Sequence, residues 1–375
     1  MEWWKTAGMG VQPVNTTRPG AQIVRTLEQL RQVQSLWEAV PVSWANPAMS
    51  YEFVNACAEA YGIADRLSVV VSTSGPHPAI APLYRSEAAP RLELVGQNQI
   101  FEASDFLYAA ADDLPGLASA VITLGRPLRL NRIPEQSATV AALEAAYRGR
   151  GLVVKRPAAG CPWIALDESW AEPDQHLNSG RRSDLRRLRR NAEKLGAVTF
   201  DVCSPQPQEL EALLGEVYAV ESAGWKARSG SAMEVDPRMG AFYKSYAAAA
   251  AAGNVLRLAF MRIDGRPVAA QLAIEAGGAY WLLKIGYVEE FKRCSPGILL
   301  MIETIRYAAN AGLKSYEFLG AEEEWINAWK PNVRSCIRLQ TYPFNFHGAS
   351  ALLGDTLANL RSKLKTRIEA HRRNK

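Results

Sequence analysis

Between Val255 and Leu319 the chain leaves little freedom of topology. Two apolar runs, Val255 to Arg262 and Pro267 to Glu275, are joined by Asp264-Gly265, a pair that accepts the positive φ a tight hairpin needs. Gly277-Gly278 turns the chain again into Ala279 to Tyr287, giving an antiparallel meander. Ser295-Pro296-Gly297 then opens a helix in which Ile298, Ile302, Ile305 and Ala309 recur at steps of four, three and four, and Gly312 ends it. A strand at Ser315 to Leu319, a short helix over 322–329 and a strand over 335–342 follow. A strand-helix-strand crossover of this length implies a parallel pair with a right-handed connection. Antiparallel strands feeding one parallel unit is an unusual order, and ligands of such sheets sit beyond the carboxyl ends of the strands, at the helix start.

The rest of the chain predicts a second, smaller body of mixed structure. Residues 1–20 read as a flexible lead-in, and residues 21–170 as an α-plus-β half. Its helices lie near 26–37, 50–60, 115–123 and 138–149, its strands at 67–72, 79–84, 91–95, 106–109, 127–131, 151–155 and 162–166. Residues 171–345 form the second half, entered through an arginine-rich helix over about 174–195 and containing further helices over 207–220 and 237–252. Residues 346–375 make a basic amphipathic helix with Leu353, Leu357, Leu360, Leu364 and Ile368 on one stripe, a face suited to the core, a partner or an anionic membrane surface.

The net charge of +5 is concentrated in two places. Residues 181–194 hold seven Arg/Lys against two acids, and 361–375 hold seven against one, so the remainder is acidic. A coat for nucleic acid is therefore not indicated. Leu185, Leu188, Ala192 and Leu195 give the first basic helix a packing face, which leaves the arginines as a solvated one. The five scattered cysteines lack a CxxC pair and the four histidines lack an HExxH pattern, so no metal site is expected. With no run of 18 apolar residues and no leader-like start, the expected location is cytoplasmic. Phosphate loops of the GxxxxGK type and GxSxG elbows do not occur.

Three stretches resemble the GNAT superfamily of N-acyltransferases, and within it the CelD-like group associated with cellulose and exopolysaccharide loci. They are Glu221-Ser-Ala-Gly-Trp225-Lys226 with Gly230-Ser231, then Lys284-Ile-Gly-Tyr287 followed by Ser295-Pro296-Gly297, then Tyr316-Glu317-Phe318-Leu319-Gly320 with Trp329. The likeness is best over about 180–335. It implies tandem GNAT-like halves with mixed sheets flanked by helices, the first half degenerate and the second an intact acyltransferase unit. It also implies two parallel strands, 280–287 and 315–319, that splay apart to admit a thioester arm.

The ligand so implied is acetyl-CoA or another acyl-CoA. Amides at the helix start by Ser295, Gly297 and Ile298 would face its pyrophosphate, with Lys292 and Arg293 as countercharges. The sequence departs from the group in having one Gly and a Pro in this turn, and Val288 where Asp often stands. Acyl transfer needs a base, an oxyanion donor and an acid for the leaving thiolate. Glu221 and Glu317 are the candidate carboxylates and Tyr287 the candidate acid. Trp225, Lys226, Ser231, Lys284 and Trp329 are candidates for binding the acceptor, an amine or hydroxyl of a small molecule or saccharide. Plain alternatives stand beside each: an exposed helix-end Glu, salt-bridged Glu317 and Lys284, core tryptophans, and Ser295 as an ordinary N-cap. The Fem-like aminoacyl transferases, which use charged tRNA, are the rival enzyme reading, and a silent scaffold in polysaccharide assembly the rival outside enzymes.

Overall fold

The computed structural model describes residues 16–18, 20–42, 45–87, 89–100, 102–224, 236–320 and 325–373. Four short strands, β1 (Thr16–Arg18), β2 (Ala21–Val24), β3 (Val69–Ser72) and β4 (Ala79–Ala81), make an antiparallel sheet. The main sheet contains β5 (Leu83–Arg85), β6 (Leu92–Leu94), β7 (Leu128–Pro134), β8 (Gly151–Ala165), β9 (Val198–Cys203), β10 (Leu256–Ile263), β11 (Arg266–Ala276), β12 (Ala279–Tyr287), β13 (Ser315–Glu317) and β14 (Asn332–Pro343). Across it the order is β5-β6-β7-β14-β8-β13-β12-β11-β10-β9. The longer helices are α1 (Tyr51–Ala60), α2 (Leu114–Thr123), α3 (Ala138–Tyr147), α4 (Ser179–Glu193), α5 (Pro207–Ser222), α6 (Pro237–Ala252), α7 (Pro296–Asn310) and α8 (Phe346–Arg373). The fold is thus a mixed α/β one, a large mixed sheet flanked by helices.

The meander β10-β11-β12 and the parallel crossover from β12 through α7 to β13 follow the pattern read from Val255 to Leu319. Two differences stand out. The two strands expected at 151–155 and 162–166 are one, β8, because β14 pairs with it from Gly151 to Trp163 and spans the intervening Pro157. The expected strand 315–319 stops at Glu317, where the chain turns through left-handed Leu319 (φ 53°) and Gly320 (φ 60°).

The first half repeats the parallel crossover, from β6 through α2 to β7, with only Leu92↔Leu128 and Glu93↔Arg129 paired. Past those pairs the side chain of Gln97 fills the opening. Its amide donates to the Arg129 carbonyl at 3.0 Å, and its carbonyl accepts from the Asn131 amide at 3.0 Å. A side chain that supplies both a donor and an acceptor replaces the missing stretch of strand. The halves share one apolar core, in which Phe53 of α1 meets Phe242 of α6 edge-on at 5.0 Å between ring centroids.

Helix α8 docks on β14 and its first-half neighbours through buried Ala351 and Asp355, while Leu353, Leu357 and Leu360 are exposed. Among the described residues no helix is long and apolar enough to cross a membrane.

Buried Asp105 makes one feature of the first half pH-dependent. Burial pushes its carboxyl up to about 6, against hydrogen bonds donated by Ser137 and the Phe106 amide. A carboxyl raised in the folded state adds stability below its ordinary value near 3.9, and that contribution is lost as pH rises through about 6. Asp105→Asn is therefore expected to gain about 2 kcal/mol at pH 8 and almost nothing at pH 4 in urea unfolding. Equal effects at both pH values would show that the carboxyl is not the cause.

Candidate active site

Strands β12 and β13 are joined only at Ala279↔Ser315, Tyr280↔Tyr316 and Trp281↔Glu317. Beyond those pairs they separate for two local reasons. On β12 the register against β11 jumps from Ala273↔Leu282 to Leu272↔Lys284, which leaves Leu283 as an extra, bulged residue. A bulge of this kind bends its strand and increases its twist. On the other side, Leu319 and Gly320 carry the chain away after β13, and a left-handed Leu persists only where surrounding structure holds it.

The resulting gap is a cavity of about 590 Å³. One wall is Leu282 to Tyr287; the other is Phe318, Leu319 and Gly320; Met301, Trp325, Ile326 and Trp329 contribute apolar surface. Lys292, Ser295, Gly297 and Ile298 bring the start of α7 to it, and Glu102, Glu221 and Gly224 complete the lining.

Glu221, on the last turn of α5, is 3% exposed and faces Lys284 of β12, 16% exposed, with 3.6 Å between Oε1 and Nζ. The close approach depends on Gly286, since a Cβ there would lie 3.2 Å from the Cα of Glu221. The Lys284 ammonium also sits 5.2 Å from the centroid of the buried Tyr243 ring, a cation–π contact.

Glu102 is the functional candidate that sequence reasoning missed. It comes from the first half, is buried, and accepts a hydrogen bond from the Gly320 amide at 3.2 Å. Burial pushes its carboxyl up, while that amide and the charges of Arg132 and Lys284 pull it down. No periodicity or motif marks Glu102; only the contact between halves brings it to the gap.

The other expected residues divide. Tyr287, Ser295, Gly297, Ile298, Lys292, Lys284, Glu221 and Trp329 share the cavity. Trp329 also packs in the core with Tyr316 and Phe318. Arg293 is exposed and does not line it. Glu317 does not line it either: both its oxygens accept from Arg334, at 3.0 and 3.3 Å, and Ser315 donates to it at 3.0 Å. Trp225, Lys226 and Ser231 lie outside the described residues. Among the described residues no cluster of three metal-binding side chains occurs.

The start of α7 differs from the expected cradle of amides. Ser295 is left-handed (φ 47°, ψ 58°) and makes no side-chain cap. Its carbonyl accepts from the amides of both Ile298 and Leu299, at 3.0 and 3.2 Å, and Pro296 has no N–H. Gly297 is left as the amide of this first turn that is open to a ligand. Its own packing does not demand glycine, because a Cβ would meet Tyr287 and Ile285 at an ordinary 3.7 and 3.8 Å.

Residues 179–327 match the family model of an acetyltransferase (GNAT) domain. Solved structures with similar folds span nearly the whole chain. The C-terminal domain of a putative lysylphosphatidylglycerol synthetase from Agrobacterium fabrum is 13% identical, with 88% of this chain and 96% of that one covered and a TM-score of 0.56. FemX is 10% identical, with 84% and 96% covered and a TM-score of 0.57. A conserved protein of unknown function from Bacteroides thetaiotaomicron is 11% identical, with 85% and 98% covered and a TM-score of 0.54. At these identities the likeness establishes the fold alone. A comparison with curated protein sequences finds no match.

Proposed function

We propose that the protein is an acyltransferase that takes an acyl group, in the first instance acetyl, from coenzyme A and passes it to an amine or hydroxyl of a small molecule or saccharide. The observation that carries this reading is the separation of β12 from β13 after three pairs, with the start of α7 at the same cavity. A thioester arm laid along β12 would find free strand edge, and the pyrophosphate would meet the Gly297 amide and Lys292. The acceptor nitrogen or oxygen bonds to the acyl carbon, the carbon–sulfur bond breaks, and the acceptor proton passes to a carboxylate. Glu221 and Glu102 line the cavity as candidate bases, and Tyr287, which also lines it, is the candidate acid for the departing thiolate. The resemblance of the 221–231 and 284–297 stretches to the CelD-like group supports a saccharide acceptor in exopolysaccharide assembly.

Gly297 supplies the test. Gly297→Ala keeps an allowed backbone and is expected to leave stability unchanged or raise it by about 0.5–1 kcal/mol. The added methyl would occupy the ligand's approach, so acetyl-CoA binding should weaken by about tenfold or more, equivalent to about 1.4 kcal/mol. Calorimetry with acetyl-CoA measures both proteins. Wild-type protein that takes up no acetyl-CoA below millimolar concentrations would overturn the coenzyme A reading.

One observation favours a second donor. With Pro296 lacking an N–H and two amides turned back to Ser295, the anion site is poorer than a loop of several glycines. The Fem-like reading, with aminoacyl-tRNA as donor, needs no such loop and would use the exposed Arg181, Arg186 and Arg190 of α4.

The exposed leucines of α8, beside seven Arg/Lys in 361–375, suit peripheral contact with an anionic membrane. Sedimentation with phosphatidylglycerol vesicles, but not with pure phosphatidylcholine ones, is expected, and Leu353→Glu with Leu357→Glu should abolish it.

A further inference from the structure

Cys161 of β8 and Cys336 of β14 lie with their sulfurs 3.6 Å apart, 2% and 3% exposed, packed against Ala103. They meet because the β8–β14 register jumps from Arg334↔Cys161 to Cys336↔Ala158, so that Ala159 and Gly160 bulge opposite Ser335. The bulge also frees the carbonyls of Ala159 and Gly160, which accept from the buried Arg132 guanidinium at 3.2 Å each. Arg132 itself sits on a bulge of β7 with φ 53°, and its Nη2 donates to the Cys161 sulfur at 3.3 Å. The same nitrogen donates to the Gly320 carbonyl, whose residue lines the cavity and whose amide binds Glu102. A second cleft, of about 380 Å³, has Cys336, Gly160 and Pro157 in its wall, so a small oxidant entering it comes up on the Cys336 side of the pair, next to the Cys161 sulfur 3.6 Å further in.

We propose that Cys161 and Cys336 are a dithiol site that a hydroperoxide converts to a disulfide, and that the change reaches the cavity through Arg132 and Gly320. The Arg132 Nη2 contact at 3.3 Å assigns Cys161 as the attacking sulfur, and a hydrogen bond from Cys336 and the Arg132 charge lower its thiol despite burial. Its sulfur takes the distal oxygen of the peroxide to give a sulfenic acid, releasing hydroxide or, from an alkyl hydroperoxide, alkoxide. The Cys336 sulfur then bonds to the sulfenic sulfur, the sulfur–oxygen bond breaks, and that oxygen leaves as water with the Cys336 proton. Two thiols lose two electrons and the peroxide gains them. The sulfurs must close from 3.6 Å to about 2.05 Å, a movement that pulls on Gly160 and Cys161 and removes the thiolate partner of Arg132.

The test uses the full chain and does not depend on which acyl donor is used. Hydrogen peroxide is added to the native protein, remaining thiols are alkylated after unfolding, and peptides are mapped. The expected result is a 161–336 linked peptide, with Cys57, Cys203 and Cys294 alkylated, and faster hydrogen exchange at residues 318–320 than in reduced protein. In Cys336→Ser the reaction should stop at a Cys161 sulfenic acid trapped by dimedone. Cys161 and Cys336 both alkylated while Cys203 is oxidised would overturn the site. Linkage without any change in exchange at 318–320 would overturn its connection to the cavity.

Discussion

Replacing Lys284 by Met is expected to cost about 3 kcal/mol of stability at pH 8 and markedly less at pH 5. The side chain stays unbranched and loses only its terminal atom, so packing against Tyr243 and Met239 is largely retained and the loss is mainly electrostatic. Lys284 is the cation facing Glu221 at 3.6 Å, and its charge is one of the influences that lower the Glu102 carboxyl. Its removal takes the ion-pair cation from buried Glu221 and, from buried Glu102, one of two lowering charges, the other being Arg132. Exposed ion pairs contribute about 0–1 kcal/mol, whereas breaking a buried pair costs about 3–5 because the surviving charge stays out of water. The sign of the pH effect follows from Glu102. Burial already raises its carboxyl, and without Lys284 it rises further, so the folded state is penalised as pH climbs through that value and spared below it. Urea unfolding at the two pH values measures both. A loss under about 1 kcal/mol, or one equal at pH 5 and pH 8, would mean that Lys284 behaves as a surface charge. Acyl transfer should fall with it, since Lys284 holds the Glu221 carboxylate in the cavity.

The residues that were legible in the sequence are those whose signal is local. Asp264-Gly265, Gly277-Gly278 and the Ser295-Pro296-Gly297 start fix their turns through backbone chemistry that neighbours cannot override, and the meander and crossover follow from them. The cavity was legible to the same extent, because β12, the start of α7 and the turn after β13 all belong to one continuous stretch. Glu102 was not, for the reason that its place depends on a contact with Gly320 more than two hundred residues away. The role of Glu317 was open in the sequence because a strand carboxylate reads alike whether it faces a ligand or, as here, Arg334. Gln97 is a polar residue in a loop by every local criterion, yet its side chain bridges to β7 where the β6–β7 pairs end. The stripe on α8 shows the opposite difficulty. Its leucines at steps of four and three marked a face suited to the core, a partner or a membrane, but Leu353, Leu357 and Leu360 are exposed and the helix is held by Asp355, on a face the hydrophobic pattern does not mark.

Asp355→Ala should release α8 from the sheet. The carboxylate accepts from Arg91 through both oxygens at 3.0 Å, from Arg129 at 2.7 Å, and from Gln340 and Tyr342 at 2.8 Å each. Those donors come from three elements that are not adjacent in sequence, so one side chain ties the helix to β7, β14 and the start of β6. Alanine removes the acceptor from all of them and leaves the buried Arg91 guanidinium without its counterion. The expected cost is about 3–5 kcal/mol, large enough to free the helix rather than shift it. Trypsin should then cut within 361–375 far faster than in the parent protein, while the transition of the remaining chain moves less. Acid gives an independent readout. Burial raises the Asp355 carboxyl, but hydrogen bonds from Arg91 and Tyr342 and the charges of Arg91 and Arg129 outweigh it and hold the group below its ordinary value. A carboxyl depressed in the folded state contributes stability above about pH 4 and loses it as pH falls through the lower, folded value. Parent protein is therefore expected to become trypsin-sensitive in this segment after brief exposure below that pH, and Asp355→Ala to be sensitive at every pH. Equal resistance of parent and variant at neutral pH would mean that apolar contacts such as Ala351 hold the helix, and that the Asp355 network contributes only its orientation.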